Sequence, residues 1–198
     1  MNIRLLSAPS FLGLVCLASA CDGNGPGNKD DDTGGDNDDT GEISYDEGCI
    51  VLDGGQTFAF IEDALTVAGE GSTLSLEGCG DAFDQQAVVT KGVALVGPGA
   101  EAMVWTAPVN KPAIEISGAS GASVSGFTFT STRDGIVVES STDTALANLG
   151  FKEIANTAIV TRNSTGTSVV DSSFVSPSYG AVQVDNGTAT LERNDVEN

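Results

Sequence analysis

From residue 114 onward the apolar residues recur in three columns. Ile114, Ile136, Ile159 and Val182 are spaced 22, 23 and 23 residues apart. Val124, Leu146, Val169 and Leu191 follow at 22, 23 and 22, with Phe129, Phe151, Phe174 and Val196 five residues further on. Within a row the pattern alternates, as in Ile114/Ile116 and Ile136/Val138, which is the period of a strand. Small polar and glycine residues separate the strands and leave no room for a helix in each repeat. A unit of 22–23 residues cannot bury its own apolar face, but stacked units share one continuous core. The pattern predicts an all-β fold, a right-handed parallel β-helix of about five coils of 22–23 residues. The hexapeptide rhythm of a left-handed β-helix is absent. Leucine-rich repeats share the period, but Ile154 and Pro177 stand where those repeats require Asn or Cys.

Upstream, "FAFIEDALTVAGEGSTLSLEGC" leads into "QQAVVTKGVALVGPGAEAMVW". Phe60, Ile61, Ala64, Leu65 and Ala68 form one apolar helix face. Lys91 to Gly99 then follow the order K-x-x-x-L-x-G-x-G. Together these segments resemble the N-terminal module of the pectin-lyase-like right-handed β-helix superfamily, and the resemblance covers roughly residues 49–198. It implies a capping helix that plugs the open apolar end of the first coil. It also implies carbohydrate as the ligand class, since many members cut or modify acidic polysaccharides. The motifs that similarity to pectate lyases, polygalacturonases or pectin methylesterases would imply do not occur in residues 48–198. Gln85-Gln86-Ala87-Val88 echoes an esterase glutamine motif but sits too early, in the N-terminal module.

The register itself brings out one ionic constellation. Glu139, Arg162 and Asp185 occupy equivalent positions just outside the first strand's inward pair. With strands ~4.8 Å apart they form an acid–base–acid ladder whose carboxylates stand about 9–10 Å from each other. Inverting glycosidases separate theirs by ~6.5–9.5 Å. An arginine between the acids favours the ionised form of both, whereas a general acid needs a raised pKa, so an exposed ion ladder is the plainer reading. Asp171 and Arg193 stack in the next strand in the same way. Trp105, the sole tryptophan, reads first as a packed or turn-lining residue and Tyr179, in the turn "SPSYG", as a plain surface aromatic, with a platform for a sugar ring as the alternative for each.

The first residues, "MNIRLLSAPSFLGLVCLASAC", read as a secretory signal over 1–20: a basic n-region, an apolar run from Leu5 to Leu17, then small residues. That run is shorter than the ~20 apolar residues needed to span a bilayer. Ala18-Ser19-Ala20-Cys21 resembles the lipobox of bacterial lipoproteins, with Ala18 where leucine is usual. The resemblance implies that Cys21 carries the lipid and anchors the chain to a membrane. Of the four cysteines, Cys16 leaves with the signal and Cys49 and Cys79 remain. An oxidising compartment favours a disulfide between these two, with two buried thiols as the alternative.

Residues 21–47 form an acidic tether with ten acids, one base and almost nothing apolar before Ile43 and Tyr45. Such a segment is expected to stay disordered and extended. Its 26 residues from Asp22 to Glu47 reach roughly 25–30 Å. EF-hand spacing fails at Gly34 and Gly41, which leaves only weak Ca²⁺ binding by the tether and no other cofactor or metal. The net charge of −20 excludes nucleic acid as a partner.

The sequence thus describes an exported, lipid-anchored envelope protein, with the outer membrane or cell surface favoured. Asp22 resembles an inner-membrane retention signal and keeps that membrane as the alternative. Residues 48–198 form the β-helix domain, read as a noncatalytic binding or structural module related to carbohydrate. The alternative is a polysaccharide lyase or glycoside hydrolase whose catalytic coils are missing or unrecognised. The chain ends inside a coil, at "LERNDVEN", which suggests truncation or an open end used for self-association or partner docking.

Overall fold

The computed structural model describes residues 48–130 and 133–197. The signal peptide, Cys21 and the acidic tether lie outside the described residues. The chain enters through a hairpin, β1 (Ile50–Leu52) and β2 (Gln56–Phe58), followed by helix α1 (Ile61–Val67). Three strands then form the first coil: β3 (Thr73–Ser75), β4 (Ala82–Phe83) and β5 (Ala87–Val89). The second coil holds β6 (Ala94–Val96), β7 (Val104–Thr106) and β8 (Ile114–Ser117). The third holds β9 (Ser123–Ser125), β10 (Thr128–Thr130) and β11 (Ile136–Glu139). The fourth holds β12 (Ala145–Ala147), β13 (Gly150–Lys152) and β14 (Thr157–Arg162). β15 (Thr167–Val170), β16 (Ser173–Val175) and β17 (Gly180–Asp185) complete the fifth, and β18 (Ala189–Glu192) and β19 (Asp195–Glu197) begin another. Every third strand joins the same parallel sheet, so the chain winds as a β-solenoid of about five turns with three sheet faces.

The three columns read from the sequence are the inward ladders of these sheets. Ile114, Ile136, Ile159 and Val182 are aligned across β8, β11, β14 and β17. Val124, Leu146, Val169 and Leu191 are aligned across β9, β12, β15 and β18. Phe129, Phe151, Phe174 and Val196 complete the set across β10, β13, β16 and β19.

The columns also run back into the N-terminal module, through Leu74 and Leu95, through Phe83 and Trp105, and through Ala87. The sequence hides these rows because the second coil is stretched: Ala87 pairs with Ile114, 27 residues away, and Leu95 with Val124, 29 away. Outward loops absorb the excess without disturbing the ladder. Gly97 is required there, since a Cβ at this position would strike the Gly126 carbonyl and the Phe127 ring.

Trp105 sits at the centre of the aromatic ladder, fully buried. It meets Phe83 and Phe127 edge-on at 4.7 and 5.1 Å, and its indole N–H donates to the Gln85 carbonyl at 2.7 Å. Phe129, Phe151 and Phe174 continue as a stack at 5.1 and 5.0 Å. Each buried aromatic contributes about 1.5–3 kcal/mol through removal of apolar surface. This corrects the alternative reading of Trp105 as a sugar platform: strand alternation turns its ring into the core.

The corners are polar and repetitive. Asn148, Asp171 and Arg193 each begin a corner in the left-handed region, with φ near 52°. Asn and Asp tolerate that conformation; Arg seldom adopts it. Arg193 is held by two hydrogen bonds to the Asp171 carboxylate, at 2.6 and 2.9 Å. At another corner Ser141 and Ser164 point inward. The Ser141 hydroxyl donates to the Glu139 carbonyl at 2.8 Å, and the Ser164 hydroxyl accepts the Ser141 N–H at 3.1 Å.

The N-terminal end of the solenoid is covered by the hairpin and α1. Cys49 and Cys79 are joined in a disulfide that ties the approach to β1 to the turn after β3. Ile61, Ala64 and Ala68 of the expected helix face are buried and Leu65 is half-buried. Phe60 departs from that expectation. It is the N-cap, with extended backbone (φ −115°, ψ 134°), which swings its ring off the helix face and leaves it 59% exposed. Among the described residues no helix is long and apolar enough to cross a membrane. At the other end Val184, in the fifth coil, and Leu191 and Val196, beyond it, are inward in register and exposed.

Candidate functional site

A concavity lies between α1 and β5, the edge strand of the five-stranded sheet. Two residues flanking β5 build it. Gln85, before the strand, accepts the Ile61 N–H through Oε1 at 2.7 Å and donates from Nε2 to the Ala59 carbonyl at 2.9 Å. It thereby caps a helix start that has no side-chain cap of its own. Lys91, after the strand, donates from Nζ to the Ala68 carbonyl at 2.6 Å and the Thr66 carbonyl at 3.3 Å. An ammonium at a helix C-terminus satisfies orphan carbonyls and opposes the helix dipole. The strand thus grips the helix at both ends. A groove of about 940 Å³ remains alongside, with Phe60, Leu65 and Val88 as apolar walls and Glu62, Asp63, Gln86 and Lys111 as polar lining.

This clip is hard to see in the sequence, because Gln85 and Lys91 act on backbone atoms more than twenty residues away. The one local signal is their spacing on either side of a three-residue strand. Gln85, in the segment that echoes an esterase glutamine motif, spends both its amide oxygen and its amide nitrogen on the cap.

The ionic candidates stand on a different face. Glu139 pairs in register with Arg162, and Arg162 with Asp185. Only the second step closes as an ion pair, Arg162 Nε lying 3.8 Å from Asp185 Oδ2. Gln183 Nε2 donates to the same Asp185 oxygen at 2.9 Å and holds the carboxylate toward the arginine. Both partners of the pair are roughly half exposed.

A second groove, of about 500 Å³, runs past another corner and is lined by Lys152, Asp171, Arg193 and Asp195. There the Arg193 guanidinium, chiefly through its hydrogen bonds and then through its charge, holds the Asp171 carboxyl below its ordinary pKa. Asp171 in turn holds Arg193 above its own. Tyr179 is exposed on the turn before β17 and lines neither groove. Among the described residues no cluster of three or more His, Cys, Asp or Glu could hold a metal ion. Calcium binding by the tether lies outside the described residues. Comparison with known proteins returned no match, whether to a family model, a curated protein or a solved structure.

Proposed function

We propose that this chain is a lipid-anchored protein of the bacterial cell envelope, attached through Cys21, whose acidic tether presents a noncatalytic β-helix module to carbohydrate. In this reading the module is a short member of the pectin-lyase-like superfamily. The observation that carries the noncatalytic part is the pairing of two outward acids, Asp185 and Asp171, with arginines. Asp185 faces Arg162, and Asp171 is gripped by Arg193 with its carboxyl held below the usual range. A general acid for glycoside cleavage needs the opposite shift.

The test uses the full chain extracted in detergent from its own cells. Its intact mass is expected to carry the acyl increment at Cys21. Incubation with plant and bacterial polysaccharides is expected to show retention on the polymer without new reducing ends or unsaturated products. Product formation abolished by Glu139→Gln or Asp185→Asn overturns the noncatalytic reading and restores the hydrolase or lyase.

A further inference from the structure

We infer that the groove between α1 and β5 is the ligand site of this module and that it takes a neutral oligosaccharide. The inference rests on the binding-module reading above and deepens it. Four features of the groove converge. Phe60 presents a large ring to solvent at the groove wall. An aromatic face beside hydrogen-bonding groups suits a ligand that is apolar on one side and polar at its edges, as a sugar ring is.

The second feature is an open strand edge. The Ala87 N–H is spent on the Ala113 carbonyl of the neighbouring coil, at 3.0 Å. Backbone groups alternate along a strand, so those of Val88 face the other way, where no strand follows β5. Val88 is 47% exposed and lines the groove, which supplies one donor and one acceptor at fixed spacing. The third is Gln86, whose side chain also lines the groove and takes no part in the clip that consumes Gln85.

The fourth is charge, and it decides the ligand class. Among the described lining residues two ammonium groups, Lys91 on the helix carbonyls and Lys111, stand against the two exposed carboxylates of Glu62 and Asp63, so the groove holds no excess of positive charge to attract a polyanion. Residues 48–198 hold 18 acids and six bases, a net charge of −12. A polyanion such as a uronate, sulfated or phosphorylated chain is repelled by that field. Sugar hydroxyls donate readily to carboxylates, and such charge-assisted hydrogen bonds are the stronger kind. A groove of about 940 Å³ has room for a few sugar residues.

The test is calorimetric titration of the full chain in detergent micelles with cellohexaose, xylohexaose and mannohexaose, and with an oligogalacturonate of equal length. At least one neutral chain is expected to bind and the oligogalacturonate is not. Phe60→Ala and Gln86→Ala are expected to weaken binding by about tenfold or more. Should Phe60→Ala fail to fold, Gln86→Ala and the amide shift of Val88 in ¹⁵N-labelled chain carry the same test. Tighter binding of the oligogalacturonate overturns the ligand class. Binding that survives both substitutions, or that Tyr179→Ala abolishes instead, overturns the site and leaves the binding-module reading standing. Failure to bind any of the four chains overturns both.

Discussion

The first coils and the later ones share one register but are filled differently. Around Phe83, Trp105, Phe127 and Phe129 the interior is a continuous aromatic cluster, and the end beneath it is sealed by α1, a hairpin and a disulfide. From the fourth coil on, hydroxyls enter the same inward positions. The ladder Ile116–Val138 continues as Thr161, and Thr144 and Thr167 lie side by side just before β12 and the second residue of β15. All three threonine hydroxyls are buried without a hydrogen-bond partner. A stacked ladder fixes where a side chain points, not how well it is satisfied there, so stability is expected to fall along the axis toward the last coils.

Breaking the sealed end should have the largest effect. Replacing Cys49 and Cys79 by serine opens a loop spanning a sequence separation of 30. The chain-entropy relation puts the loss at about 3–4 kcal/mol, readable in denaturant unfolding. Hydrogen exchange should quicken first in β1 and β3; quickening confined to β17–β19 would show that the disulfide does not guard the N-terminal end. Gln85→Ala removes one half of the helix clip and leaves the Ile61 N–H unpaired, at a cost of about 1–2 kcal/mol. The Ile61 amide should lose protection while Phe151 and Phe174 keep theirs.

In the later coils the sign should reverse. Thr161→Val keeps the shape and deletes an unpartnered buried hydroxyl, so it should stabilise by about 1 kcal/mol and raise Tm. A lowered Tm would mean that Thr161 has a partner in solution. The smallest effect concerns pH. The folded Asp171 carboxyl is depressed by Arg193, so its contribution is complete above the ordinary carboxylate range of about 4 and fades as pH falls through the depressed value. Both groups are exposed, which keeps the contribution small. NMR titration of the protein and of Arg193→Gln should show the Asp171 carboxyl titrating at higher pH once the guanidinium is gone.

The candidate site was far less legible than the fold. Tyr179 was read correctly as a surface aromatic, because a turn between two strands leaves its side chain outside the stack. Trp105 takes the packed place and not the sugar platform, while Phe60 leaves the helix face expected of it. The tryptophan lies in a row whose repeat was masked by the stretched second coil, and the phenylalanine sits at a helix boundary where one change of backbone conformation redirects the ring. Glu139, Arg162 and Asp185 fell into the expected register, yet only two of them form an ion pair, since register sets strand spacing and not the direction a long side chain takes.

What the sequence determined by itself is the winding: the 22–23-residue period, the three inward columns and the polar corners between them. Parallel pairing joins each residue to its equivalent one coil away, so a periodic apolar pattern has a single register that buries every column. Only the tertiary structure decided how the first coil is closed and where a groove opens. Gln85 and Lys91 recognise the two ends of α1 through carbonyl and amide groups that every residue carries, and such contacts leave no mark on the side-chain pattern.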